Sequence, residues 1–206
     1  MPEASDERDE NGLPIKPAVP AILEAVLEET PDVAKVRDAL KEDPSCASVA
    51  DSRGRTVLSH AAARGSAEIV SALLEAGAED SSPSGWTAAQ YAAFNGHADV
   101  LRALLKAGGA AATSCAPPGT SSMPPLMCAA VKGQIDCLTV LLDAVPAAMD
   151  ARTTNGRTAL MLAASGGSPA AVELLVARGA DLNATSHEGK TALIWAVTSH
   201  KPETVG

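Results

Sequence analysis

Residues 156–181 read GRTALMLAASGGSPAAVELLVARGAD, and they set the architecture of the whole chain. Thr158 follows a turn glycine, where its hydroxyl can accept a free backbone N–H at the start of a helix. Ala163 and Ala164 lie inside that helix. Alanine is the strongest helix former, and its small side chain lets a neighbouring helix approach closely. Gly167, nine residues after Thr158, suits the left-handed backbone that closes a helix. Val172, Leu174 and Leu175 supply the apolar side of a second helix, and Gly179 ends it. The stretch is a helix–turn–helix–loop unit.

The same arrangement recurs along the chain, the signature of a repeat architecture. GRTVLSHAAARGSAEIVSALLEAGAE starts at Gly54, GWTAAQYAAFNGHADVLRALLKAGGA at Gly85, and SMPPLMCAAVKGQIDCLTVLLDAVPA at Ser122; a shorter GKTALIWAVTSH starts at Gly189. The register positions are Thr56, Thr87, Pro124, Thr158 and Thr191, spaced by 31, 37, 34 and 33 residues. The long spacing holds residues 111–122, rich in Ala, Pro, Gly and Ser, which reads as a loop insertion. Alanine pairs recur at 61–62, 92–93 and 129–130, and helix-closing glycines at Gly65, Gly96 and Gly133. Gly77 and Gly108 end second helices at matching offsets. In the third unit Val145-Pro146 takes that place, and proline stops the helix.

These units resemble the ankyrin repeat, a unit of about 33 residues made of a β-turn and two antiparallel helices. The family's Thr-Pro-Leu-His-x-Ala-Ala signature is echoed at residues 56–62 and 158–164, and its closing Gly-Ala-Asp-x-Asn appears whole at 179–183. The resemblance runs from Gly54 to the C-terminus, roughly three-quarters of the chain. It implies an all-α fold: an ankyrin-repeat solenoid of stacked helix–turn–helix units with β-turn hairpin loops. One departure is consistent. The signature His is replaced by Ser59, Gln90, Met127, Met161 and Ile194. In the family it ties each turn to its neighbour, so its loss implies looser hairpins, above all around Met123-Pro124.

Upstream, AILEAVLEE at 21–29 and DVAKVRDALKE at 32–42 read as one more helix pair, with Thr30 as N-cap and Pro31 as first helical residue. The expected organisation is a disordered acidic tail at 1–20, a degenerate N-terminal capping repeat at 21–50, and ankyrin repeats at 51–206, four complete and the last truncated. Only residues 202–206 are available for the last second helix, which leaves the Leu193 and Trp195 side poorly covered and suggests a truncated chain or gene model.

Composition agrees with close helix stacking. The chain has 42 alanines and four aromatic rings, Trp86, Tyr91, Phe94 and Trp195, so its core cannot rest on large rings that bury ~150–250 Å² each. The net charge is −9, of which −8 falls in residues 1–51 and −1 in the rest. That balance argues against general nucleic-acid or anionic-membrane binding. No apolar run approaches the ~18 residues of a membrane span, and the acidic N-terminus is unlike a secretory signal. The expected location is cytoplasmic, with the nucleus open, and the thiols are expected to be reduced.

No catalytic, metal or cofactor constellation stands out, and the chain reads as a non-enzyme. Cys46, Cys115, Cys128 and Cys137 form no Cys-x-x-Cys or Cys/His metal spacing. Cys128 and Cys137, on the two helices of one unit, read as buried thiols. Gly108-Gly109 and Gly166-Gly167 lack the Lys-Ser/Thr of a phosphate loop. His97 stands where the family has a structural Gly-His pair, and His60 occupies a packing position shared with Tyr91, Cys128, Leu162 and Trp195.

The resemblance implies function by binding. The first reading is a non-catalytic protein–protein interaction module, a scaffold, adaptor or inhibitor, that holds its partner on the concave face of hairpin tips and first-helix residues. Carried over position by position, that face holds Arg53, Arg55, Arg64, Trp86, Phe94, Asn95, Met123, Lys132, Arg157, His187 and Lys190, with Glu188 as its one acid. Trp and Arg are enriched at interface hot spots. A basic rim around Trp86 and Phe94 suits an acidic, partly apolar protein segment, and the acidic tail could compete for it. Exposed hairpin tips carry polar residues in any case, which is the competing explanation. The chain is expected to be monomeric. The alternative function is the targeting region of a longer enzyme or degradation adaptor whose catalytic or recruiting domain lies beyond Gly206. Leu175 followed after five residues by Asp181-Leu182-Asn183 resembles the ankyrin motif for asparaginyl β-hydroxylation at Asn183; an unmodified turn asparagine is the other reading.

Overall fold

The computed structural model describes residues 21–28, 31–79, 86–108 and 123–199. Eleven α-helices lie among them: α1 (Ala21–Leu27), α2 (Val33–Glu42), α3 (Val57–Arg64), α4 (Ala67–Glu75), α5 (Ala88–Asn95), α6 (Ala98–Gly108), α7 (Pro125–Lys132), α8 (Ile135–Ala144), α9 (Ala159–Gly166), α10 (Pro169–Ala177) and α11 (Ala192–Thr198). The expectations for the tail at 1–20, for Thr30, for the insertion at 111–122 and for the end at 202–206 fall outside the described residues.

The helices stack in two layers. The first helices pack in the order α1, α3, α5, α7, α9, α11, and the second helices in the order α2, α4, α6, α8, α10. Small residues make the first layer close: Ala61, Ala62, Ala92, Ala93, Ala129, Ala130, Ala163 and Ala164 are buried, with Leu58, Leu126 and Leu160 between them. Ile69, Leu73, Leu101, Leu104, Leu138, Leu141 and Leu175 bury the facing side of the second layer.

Local chemistry starts and stops each unit. Ser59 N–H donates to Thr56 Oγ1 at 3.1 Å, Gln90 N–H to Thr87 Oγ1 at 3.3 Å, and Met161 N–H to Thr158 Oγ1 at 3.4 Å. Such a cap is worth about 1 kcal/mol. Pro124 and Pro125 take over in the third unit, where no side chain caps the helix. Thr191 also makes no side-chain cap bond, contrary to its expected role. Gly65, Gly96, Gly133 and Gly167 close the first helices at φ +77, +87, +67 and +73. Asp32 caps α2: its Oδ1 accepts from the Ala34 and Lys35 N–H groups, and Pro31 precedes the helix instead of opening it.

Three hairpins are described. Asp51, Thr153 and Ser186 donate their N–H groups to the carbonyls of Arg55, Arg157 and Lys190 at 2.8, 2.9 and 3.0 Å. An isolated antiparallel bridge pairs Ala50 with Thr56. Neighbouring hairpins are tied directly: His187 N–H donates to the Asn155 carbonyl at 3.0 Å, and Arg152 Nη1 donates to Gly156 O and Thr185 O.

Candidate functional site

The hairpin and first-helix face is built from a recurring pair. In four units the residue before the register position meets the residue four after it. Arg55 and His60 meet on Asp51. The rings of Trp86 and Tyr91 lie 5.4 Å apart. The Cys128 thiol donates to the Met123 carbonyl. Lys190 Nζ sits 4.6 Å from the Trp195 ring centroid.

The first of these pairs is an ionic knot. Asp51 Oδ1 accepts from Arg53 N–H at 2.8 Å and Arg55 N–H at 2.9 Å. Its Oδ2 accepts from Arg55 Nε at 2.9 Å and lies 3.0 Å from His60 Nε2. Burial alone would raise the Asp51 carboxyl. The hydrogen bonds from Arg55, His60 and Arg53 outweigh it and hold the group well below the usual carboxylate range. The Arg55 charge is therefore balanced inside the chain, while the Arg53 side chain is exposed at the tip.

The second cluster is aromatic. Trp86 meets Phe94 edge-on with centroids 5.2 Å apart, and Lys132 Nζ lies 4.5 Å above the Phe94 ring. Trp86, Tyr91, Phe94 and Met123 are half-buried, so each offers part of its surface.

The third cluster centres on Trp195. The Arg157 guanidinium carbon is 3.6 Å from the ring centroid, on a ring that also carries Lys190. Glu188 joins them, 2.7 Å from Lys190 Nζ and 3.9 Å from Arg157 Nη2. The hydrogen bond from Lys190 and the nearby positive charges lower the Glu188 carboxyl.

Three expected site residues serve the stack. Arg64 donates to the Glu28 and Leu27 carbonyls, both at 2.6 Å, and so covers the last turn of α1. Asn95 Nδ2 donates to Ala63 O across the unit boundary at 2.9 Å. The His187 ring lies over Gly156, where a Cβ would come within 2.5 Å of it. Asn183 is exposed in a loop, its N–H bonded to Asp181 Oδ1.

The sequence reading missed Asp51, Tyr91 and Trp195 as parts of these clusters. A five-residue offset across each helix start carries the signal for the two rings. Asp51 has the weaker signal of an acid five residues before the register.

The described residues hold no group of three or more His, Cys, Asp or Glu side chains placed to take a metal ion. No described helix is long and apolar enough to cross a membrane. A surface cavity of about 440 Å³, lined by Leu142, Asp143, Pro146, Met149 and Arg178, shares no residue with the three clusters. What this face presents is cations held on aromatic rings.

Residues 22–114 and 126–206 match the family model for ankyrin repeats (3 copies). The chain belongs to the ankyrin-repeat family. Among solved structures it is similar to the ankyrin repeat protein EF0377, at 27% identity and a TM-score of 0.73, over 90% of this chain and 94% of that one. It is also similar to a chain in the complex of the predatory endopeptidase Bd0816 from Bdellovibrio bacteriovorus with the immunity protein Bd3460. There the identity is 30% and the TM-score 0.75, over 91% of this chain and 95% of that one. No curated protein matches the chain.

Proposed function

We propose that this chain is a non-catalytic protein-interaction module, a scaffold, adaptor or inhibitor that holds its partner on the hairpin and first-helix face. Ankyrin repeats are in general interaction modules, and one similar structure is a complex of an endopeptidase with an immunity protein. The observation that carries the proposal is the Trp86–Tyr91–Phe94 cluster with Lys132 above Phe94. Three of the chain's four aromatic rings stand together there, half-exposed, in a protein whose core is built from alanine and leucine. Trp and Tyr are enriched at interface hot spots.

On this reading the binding surface comprises the aromatic cluster, Met123, Arg53 and Lys132, continued by Arg157 and Lys190. Arg55 takes part with its charge already balanced by Asp51, and Arg64, Asn95 and His187, exposed but held against the neighbouring unit, border the surface. The preferred partner is an acidic, partly apolar protein segment. The α1–α2 pair serves as the N-terminal cap of the array, the role that repeat solenoids need at their ends.

The test is affinity capture with the wild-type chain and with Trp86→Ala and Phe94→Ala, followed by titration of each captured protein. Binding should weaken at least tenfold in either variant while thermal unfolding stays cooperative. A partner that binds both variants as tightly as the wild type overturns the proposal.

A further inference from the structure

The Trp195 cluster sets two cations and one carboxylate around a single ring. Arg157 and Lys190 lie against one ring, which limits their freedom and fixes the distance between two positive charges. Glu188 answers Lys190 at 2.7 Å, but it reaches Arg157 only at 3.9 Å, beyond hydrogen-bond range. Arg157 Nε and Trp195 Nε1 are both buried with no hydrogen-bond acceptor. Glu188 thus hydrogen-bonds Lys190 and leaves the Arg157 guanidinium, whose side chain is 28% exposed, without a hydrogen-bonded carboxylate. Glu188 sits on the Ser186–Lys190 hairpin and pairs with Arg157 through one long contact, whereas a planar guanidinium is built to take a carboxylate through two parallel bonds.

We infer that Arg157 and Lys190 on the Trp195 ring form a carboxylate-binding site, held by Glu188 in the free protein and taken over by an acidic residue of a bound protein segment. The inference rests on the proposed use of this face for a protein partner and adds a subsite and an internal competitor to it. Two cations against one acid leave the cluster positive even with Glu188 in place, so a second carboxylate is drawn in. The Glu188 side chain is half exposed, and exposed pairs of this kind exchange readily. The α11 helix that carries Trp195 also presents Leu193 and Val197, 57% and 59% exposed. The positions equivalent to these in α3, α5, α7 and α9 are all covered by the next unit. Leu193 and Val197 stand two residues either side of Trp195 and so face away from its ring, which leaves an Asp or Glu as the one requirement the cluster itself sets.

The test uses the full chain with Trp86→Phe, which leaves Trp195 as the one tryptophan reporter. A hexaglutamate peptide is titrated at low salt while Trp195 emission is followed. Glu188→Gln should bind the peptide about two- to fivefold more tightly than the parent. Glu173→Gln, the same charge change at an exposed position on α10, should leave affinity unchanged. Arg157→Gln with Lys190→Gln should abolish the emission change, and circular dichroism should show the helices intact. Equal gains from Glu188→Gln and Glu173→Gln would reduce the effect to net charge and overturn the inference, as would an absence of peptide binding in the parent and Glu188→Gln alike. If that happens while Trp86→Ala still weakens a captured partner, the subsite is wrong and the wider binding face stands. If Trp86→Ala has no effect either, both fail.

Discussion

Gln90 donates its side-chain amide to the Met123 carbonyl at 2.6 Å, across the boundary between two units. Its Oε1 also accepts the Thr87 N–H at 2.7 Å, which completes a reciprocal cap with the Thr87 hydroxyl. Gln90 is fully buried and stands where the family's signature His would be. It holds Met123 itself, the described residue nearest the place where the missing His and Thr imply a looser turn. Replacing it by Ala leaves the buried Thr87 N–H without its acceptor, which costs about 1–3 kcal/mol, and leaves the Met123 carbonyl with the weaker thiol donor of Cys128. Urea unfolding should show Gln90→Ala destabilised by about 1–3 kcal/mol, with Gln90→His retaining most of the stability. A midpoint for Gln90→Ala within error of the wild type would contradict this.

Gly65 and Gly77 both have positive φ, at +77 and +90, but only one is enclosed. A Cβ at Gly65 would lie 2.5 Å from the His97 ring, whose Nε2 is bound to Ala63 O at 3.1 Å, while nothing lies within 4 Å of a Cβ at Gly77. Gly77→Ala should cost only the left-handed penalty of about 1–2 kcal/mol. Gly65→Ala should cost clearly more, and His97→Ala should recover part of the difference, a non-additivity that a double-mutant cycle reads directly. Equal costs at the two glycines would remove the steric argument.

Acid should expose the Asp51 knot. Its carboxyl is held below the usual range in the folded chain by hydrogen bonds from Arg55, His60 and Arg53, against the opposing effect of burial. The unfolded value is about 3.9. A depressed folded pKa means that the stabilisation is complete above the unfolded value and is lost as pH falls through the folded one. Asp51→Asn should therefore be less stable than the wild type at pH 7, and the gap should narrow progressively as pH falls below about 4. Thermal midpoints measured across that range give the answer; a constant gap would place the contribution elsewhere.

Thiol chemistry should separate the buried cysteine on α8 from solvent. Burial, reinforced by the negative charge of Asp136, pushes the Cys137 thiol up to about 11. Thiolate is the reactive form. Iodoacetamide at pH 8 should leave Cys137 unmodified in the native chain and label it in urea, as read by peptide mass spectrometry. Native labelling of Cys137 at the rate of a free thiol would show that α8 opens.

Salt should report on the binding face. Lys132 is exposed above Phe94, and exposed charges are screened beyond ~8–10 Å at physiological ionic strength. Raising NaCl from 0.05 to about 0.5 M should weaken an acidic partner, and Lys132→Gln should flatten that dependence. A salt-independent affinity would limit the contact to the aromatic rings.

The register Thr56, Thr87, Pro124, Thr158 and Thr191 was enough to place the units, because helix caps, closing glycines and apolar stripes act within a few residues of one another. The alanine pairs and leucine stripes then foretold the two layers, since a helix with a small-residue face buries it only against another helix. Composition also pointed to Trp86 and Phe94, whose large rings have no place in a core of small residues. What no linear reading supplied was where each charge is spent. Arg53, Arg55, Arg64 and Arg157 look alike along the chain. In the folded protein Arg64 covers the end of α1, Arg55 is neutralised by Asp51, and Arg157 lies on the ring of Trp195 with Nε unanswered. Asp51 is local to Arg55, on the same hairpin, but the partners of Arg64 and Arg157 sit on other helices. Whether a guanidinium caps, pairs or waits for a ligand depends on distances of a few ångströms between segments that only the packing of neighbouring units brings together.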